Sequence, residues 1–178
     1  MNVLAIAGSL RRGSYNRLLV RAAVESAPRG MIVHPYEDLG SIPLFNEDLE
    51  STTPESVTRF RRDAASADGL LISTPEYNWS IPGVLKNAID WLSRPDPSDL
   101  LAGKPIAIVG ASGGRWGTRL AQAALRQVLT STESLVMPRP AMFVREAAGS
   151  FDETGRLIDA SARAQLQAVL AEFAQWIT

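Results

Sequence analysis

Three short loops rich in glycine, serine and other polar residues each follow a run of aliphatic side chains, and no other feature constrains this chain as strongly. They read Gly8-Ser9-Leu10-Arg11-Arg12-Gly13-Ser14-Tyr15-Asn16 after residues 3–7, Thr74-Pro75-Glu76-Tyr77-Asn78-Trp79-Ser80-Ile81-Pro82-Gly83 after residues 70–73, and Gly110-Ala111-Ser112-Gly113-Gly114-Arg115-Trp116-Gly117-Thr118 after residues 106–109. In an open parallel α/β sheet, loops at the carboxyl ends of the strands meet in one crevice at the topological switch point. Three such loops predict one composite ligand site.

The rest of the chain supplies the alternation this requires. Residues 3–7, 31–36, 70–73, 106–110 and 135–144 read as strands, the last interrupted by Pro138 and Pro140. Residues 15–26, 54–67, 82–92, 118–129 and 160–177 read as helices, with Leu18, Leu19, Ala22 and Ala23 at helical spacing in the first and prolines opening the second and third. Right-handed crossovers stack five such β-α units into a parallel sheet covered on both faces, with the expected strand order 2-1-3-4-5. Residues 38–53 lack periodicity and are expected to form a loop over the site.

A chain of 178 residues, 46% of them hydrophobic, can bury one core, so residues 1–178 are expected to form one domain. A net charge of −1 without a basic run argues against nucleic acid or a membrane surface as partner. The absence of cysteine excludes disulfides, thiol catalysis and cysteine-held metal. Without a basic leader or an apolar run near ~18 residues, a cytoplasmic location is expected.

Two common nucleotide fingerprints fail in the first loop. Gly8 and Gly13 have the glycine spacing of a P-loop, but Ser14 stands where the lysine belongs. A dinucleotide motif needs glycine at position 10, which is leucine. Ser9, Arg11, Ser14 and Asn16 remain, at the expected N-terminus of a helix. Hydroxyls, a guanidinium and the positive end of the helix dipole suit one terminal phosphate. Taken alone, the same loop also reads as a Ser14 helix cap with Arg11 and Arg12 in solvent.

In the second loop two prolines stiffen the backbone, while Tyr77, Trp79 and Ile81 supply flat apolar surface suited to a planar heterocycle. Taken alone, Tyr77 and Trp79 read more readily as core or interface aromatics. The glycines of the third loop permit close backbone approach to the opposite ring edge, or serve only the turn before the fourth helix.

Gly8-Ser-Leu-Arg-x-x-Ser14-x-Asn16, Pro75-Glu-Tyr-Asn-x-Ser-x-Pro-Gly83 followed by Leu85-Lys-Asn-Ala-Ile-Asp-Trp91, and Gly110-Ala-Ser-Gly-Gly-x-x-Gly117 together resemble the NAD(P)H-dependent FMN reductase family, in particular its chromate and quinone reductase branch. The resemblance extends over Ile42-Pro-Leu-Phe-Asn-Glu-Asp48 and Phe151-Asp-Glu-Thr-Gly-Arg-Leu157. It implies a flavodoxin-like three-layer sandwich that binds FMN and takes hydride from NADH or NADPH. The electrons would pass to a small-molecule acceptor: a quinone, azo compound, metal oxyanion or free flavin. On this resemblance Ser9, Arg11, Ser14, Tyr15 and Asn16 hold the FMN phosphate end, Pro75, Glu76, Tyr77 and Asn78 line the ring, and Ser112, Gly113 and Gly114 approach its other side. No side chain acts as nucleophile; Tyr77 and Asn78 place the ring. A homodimer or homotetramer is implied, with the helix after the second motif at the interface; Trp91 and Leu92 fit either that interface or the core.

The remaining residues read as structural. His34, the sole histidine, cannot build a metal cluster or triad. Arg59, Arg61 and Arg62 form an expected solvated helix face, Glu37 and Asp38 lack the glycine pattern of a ribose site, and Leu166, Val169, Leu170, Phe173 and Ile177 form a core stripe. A flavodoxin-type electron carrier is the alternative function, disfavoured because such carriers are strongly acidic. A receiver-like domain would need an acidic cluster where this chain has Gly8 and Ser9.

Overall fold

The computed structural model describes residues 1–94 and 99–178. Strands β1 (Asn2–Ala7), β2 (Ile32–Tyr36), β3 (Gly69–Ser73), β4 (Pro105–Ala111), β5 (Leu135–Val136) and β6 (Met142–Val144) alternate with helices α1 (Tyr15–Ser26), α2 (Glu55–Ser66), α3 (Gly83–Leu92), α4 (Arg119–Ser131) and α5 (Ala160–Ile177). All the strand pairs are parallel, in the order β2-β1-β3-β4-β5, and β6 also pairs with β4.

The fifth strand expected over residues 135–144 is therefore two short strands on one neighbour. Pro138 and Pro140 lie between them, and a residue without an N–H cannot continue a ladder. Leu135 and Val136 face Pro105 and Ile106, and Met142 to Val144 face Val109 to Ala111. The second and third helices begin one residue after their prolines, because Pro54 and Pro82 sit in extended conformation as the preceding caps.

Alternation along the strands divides the core. Val3, Ala5, Leu71, Ala107 and Val109 pack with Leu19 and Ala23 of α1 and Leu166, Leu170 and Phe173 of α5. Leu4, Ile6, Leu70, Ile72, Ile106 and Ile108 pack on the other face with Phe60 of α2, Leu85 and Trp91 of α3 and Leu125 of α4. That period of two, with both faces apolar, is why each strand reads as a continuous hydrophobic run.

Trp91 and Leu92 belong to this core, each 1% exposed. The indole N–H donates to the Pro43 carbonyl at 2.8 Å, and the ring meets Phe45 edge-on with centroids 5.0 Å apart. Trp91 is thus unavailable as an interface residue. The same contacts account for residues 38–53, which hold short 3-10 turns at Leu39–Ser41 and Glu47–Leu49. Asn87 donates to Pro43 O at 2.9 Å and accepts from Phe45 N at 2.7 Å, strapping the segment to α3. None of its residues lines the crevice, and Gly40 lies beside the Leu10 side chain of the first loop.

Arg61 also departs from the expected solvated face. It donates to the Trp91 carbonyl at 2.7 Å, and partial burial lowers its pKa. Arg59 and Arg62 pair with Asp38 and Asp63, as exposed arginines do.

Candidate functional site

At the carboxyl ends of β1, β3 and β4 the three loops enclose a cleft of about 270 Å³, lined by Ser9, Arg11, Ser14, Tyr15, Asn16, Pro75, Glu76, Tyr77, Ala111, Ser112 and Gly113. Larger hollows exist: about 380 Å³ beside Asn2, His34 and Tyr36, and about 480 Å³ beside Ala22, Asp152 and Arg163. Neither is lined by any residue of the three loops, whereas the smaller cleft draws on all of them. Convergence of backbone ends, rather than size, marks the site.

Three interactions hold the loops in register. Asn16, 2% exposed, donates from Nδ2 to Ala111 O at 2.8 Å and accepts at Oδ1 from Ala111 N and from Ser73 Oγ, both at 3.0 Å. This one side chain joins α1, β3 and β4, and its carboxamide oxygen is fully occupied. Ser9 Oγ and the Tyr77 hydroxyl lie 3.3 Å apart, linking the first loop to the second. Glu76 Oε2 accepts from Leu120 N at 2.9 Å and Ala121 N at 3.0 Å, capping α4 where Thr118 makes no side-chain cap.

The first loop offers an anion a set of free donors. Ser14 caps α1, its Oγ accepting from Asn16 N at 3.2 Å, and its hydroxyl hydrogen remains available. Among the described residues the N–H groups of Leu10 to Gly13 have no partner, while Gly8 N donates to Ser73 O and Ser14 N to Arg11 O. The Arg11 guanidinium stacks 5.4 Å from the centroid of Tyr15, with no carboxylate against it among the described residues. α1 carries no acidic residue in its first turn. Helix terminus, open amides and an unneutralised guanidinium make a site of net positive potential.

The second loop is a tight hairpin in which Tyr77 and Ser80 exchange both backbone hydrogen bonds at 3.0 Å. Asn78 and Trp79 between them have φ of 50° and 66°. Tyr77 N–H is thereby used within the loop, leaving those of Glu76 and Asn78 free to face a ligand. In the third loop Ser112 Oγ accepts from Gly114 N at 3.1 Å, and Ser112 N and Glu146 N tie the loop to the end of β6 and the residues after it. Gly110 cannot be replaced: a Cβ there would lie 2.1 Å from Thr118 Oγ1 and 2.6 Å from Thr74 O. Gly114 touches the cleft only through this loop and does not line it.

Ten of the twelve residues expected from sequence line this cleft; Asn78 and Gly114 do not, and Asn16 and Glu76 also bond to the protein through their side chains. Ser73 and Ala111 were not singled out by pattern; their position as the last residues of strands entering these loops is the only local signal. His34 lies on the exposed side of β2, 3.2 Å from Asn2 Oδ1 and outside the cleft. Glu37 pairs with Arg17. Among the described residues no group of His, Asp and Glu could hold a metal ion, and no helix is long and apolar enough to cross a membrane.

This geometry has close counterparts in known proteins. The chain is 46% identical over 178 residues to an NAD(P)H-dependent FMN reductase of Pseudomonas aeruginosa, covering 99% of this chain and 95% of that one. It is 40% identical to a 2-hydroxy-1,4-benzoquinone reductase of a Burkholderia species, covering 99% and 96%. The solved structure of FerB, a flavoenzyme NAD(P)H:(acceptor) oxidoreductase from Paracoccus denitrificans, superimposes with a TM-score of 0.91 at 35% identity, covering 99% and 96%. Residues 1–149 match the family described as NADPH-dependent FMN reductase. With its doubly covered 2-1-3-4-5 sheet and a convergent cleft at the strand ends, the chain belongs to the NADPH-dependent FMN reductase family of flavin-dependent oxidoreductases.

Proposed function

We propose that this chain, as one flavodoxin-like domain over residues 1–178, binds FMN between the three loops and couples oxidation of NAD(P)H to reduction of a quinone. The observation that carries the reading is the donor set of the first loop: free N–H groups at residues 10–13, the Ser9 and Ser14 hydroxyls and the unneutralised Arg11 at the N-terminus of α1. That set fits a single phosphate monoester, which favours FMN over FAD. The choice of a quinone as acceptor is supported by relatives, each covering 99% of this chain, that are named quinone reductases.

FMN, when bound, supplies a ring that takes hydride from nicotinamide and hands electrons to the acceptor. The chain supplies placement. Arg11 and the loop amides hold the phosphate, with Tyr15 backing the guanidinium. Pro75 and Tyr77 form one wall and Ser112 and Gly113 the other, with Asn78 and Gly114 in the turns beyond them. The backbone N–H groups of Glu76 and Asn78 are positioned to stabilise negative charge at the wall. Glu76 contributes through its cap on α4, and Asn16 by fixing α1 against β4. No side chain here is required to exchange a proton.

A homodimer or homotetramer in the cytoplasm completes the reading; because Trp91 is buried, any contact on α3 uses its accessible positions Gly83, Val84, Lys86 and Asp90. The test is the absorbance spectrum of the purified protein, chromatographic identification of the released flavin, and anaerobic bleaching by NADH and NADPH. Release of FMN and bleaching followed by reoxidation with 1,4-naphthoquinone is the expected result. A colourless protein that does not take up FMN, or one carrying FAD, overturns it.

A further inference from the structure

The hairpin of the second loop is closed by two residues at positive φ, the arrangement of a type I′ turn, for which Asn-Gly is the ordinary solution. Asn78 meets that demand. Trp79, at φ 66°, occupies the position where glycine belongs, and a bulky side chain there is a genuine outlier. Strain of this kind persists where it serves a site.

Among the described residues nothing accounts for the indole. Trp79 is 77% exposed, its ring meets no other aromatic ring, and its N–H has no partner among the described residues. Its turn follows directly on Pro75, Glu76 and Tyr77, which line the cleft. The fold therefore holds a large, exposed, flat apolar surface two residues beyond the cleft-lining Tyr77, at a cost that glycine would avoid.

We infer that Trp79 is a specificity-determining residue whose indole forms a stacking platform for planar aromatic acceptors. This rests on the quinone-reducing reading above. A nicotinamide dinucleotide carries phosphates and riboses by which a site can hold it; a neutral quinone offers little besides its face and two carbonyls. Offset stacking on an indole therefore bears most heavily on acceptor selection.

The test compares wild type with Trp79→Gly and Trp79→Phe. Since glycine relieves the turn, Trp79→Gly should melt no lower than wild type, which separates the effect from misfolding. Binding of 1,4-naphthoquinone to the oxidised protein is followed by titration without NAD(P)H. Its dissociation constant should rise at least fivefold in Trp79→Gly. In turnover, KM for 1,4-naphthoquinone should rise at least fivefold more than KM for ferricyanide, an octahedral complex with no flat face. Trp79→Phe should recover most of the loss. Unchanged naphthoquinone binding in Trp79→Gly overturns the inference, as does a fall in molecular mass by light scattering, which would mean that a second copy covers the indole. If wild type proves unable to oxidise NAD(P)H, the proposed function fails, yet the naphthoquinone binding comparison still decides the role of Trp79.

Discussion

Asn16 and Ala111, 95 residues apart, are joined by a reciprocal pair of hydrogen bonds, side-chain N–H to backbone carbonyl at 2.8 Å and backbone N–H to side-chain oxygen at 3.0 Å. The clasp imitates one rung of a sheet, but it runs from a helix to the end of β4. It sets the width of the cleft between the first and third loops. Ser73 donates into the same carboxamide, so β3 is fixed by it too.

Replacing Asn16 by alanine leaves the Ala111 N–H, its carbonyl and the Ser73 hydroxyl without partners in a buried place, for a loss of about 3 kcal/mol in stability. Urea denaturation of flavin-free protein measures this directly. Weakened FMN binding with an unchanged denaturation midpoint would instead make Asn16 a ligand and nothing more.

Arg11 should behave in the opposite way. Its guanidinium rests on Tyr15 without a carboxylate partner, and the side chain is exposed. Arg11→Ala should cost FMN binding about 1.5–3 kcal/mol, the scale of a hydrogen bond to a charged group, while the flavin-free protein keeps its stability. Fluorescence titration of the apoprotein with FMN reads the first quantity and thermal unfolding the second.

Glu76 is the third kind of site residue, one whose charge serves the helix behind the site. Glu76→Ala removes the acceptor for Leu120 N and Ala121 N and should destabilise the protein by about 1 kcal/mol, the usual cost of a lost cap. Glu76→Gln keeps an acceptor at the same place and should recover much of that. Equal losses for both variants in thermal unfolding would show that the contact is not a cap.

These three residues explain how far the sequence could be read. The strand-loop grammar is local: an apolar run such as residues 3–7 followed by Gly8-Ser9 marks a strand end, and three repetitions mark a crevice. What a polar side chain does in that crevice depends on partners 44 to 95 residues away, so the structural bonds of Asn16 and Glu76 are not legible beside their reading as ligand contacts. Trp91 was ambiguous for the same reason, its partners Pro43 and Phe45 lying in a segment without periodicity. The division of the fifth strand was legible in Pro138 and Pro140. The strained turn at Trp79 was not, because an Asn-Trp pair carries no hairpin signature.

Asp152 provides a pH-dependent contribution away from the site. Its carboxylate is held below the ordinary range by the Thr154 hydroxyl first, then by the Arg156 N–H, in the turn that closes the Phe151 and Leu157 bridge. A group with a depressed folded pKa stabilises fully above its unfolded pKa, about 3.9, and loses that contribution as pH falls through the folded value. Asp152→Asn should therefore melt below wild type at pH 7, with the gap closing below about pH 4. A gap independent of pH would show that the carboxylate's charge plays no part.

His34 separates placement from acid–base catalysis. Histidine is the side chain that ordinarily changes charge between about pH 5 and 8, and this chain has one. It lies on β2 against Asn2, outside the cleft. If hydride transfer needs only oriented rings, His34→Gln should leave the rate of flavin bleaching by NAD(P)H within about twofold of wild type, with little variation between about pH 6 and 8. Stopped-flow absorbance under anaerobic conditions measures that step apart from acceptor reduction. A steep titration abolished by His34→Gln would require a proton relay reaching from β2 to the loops.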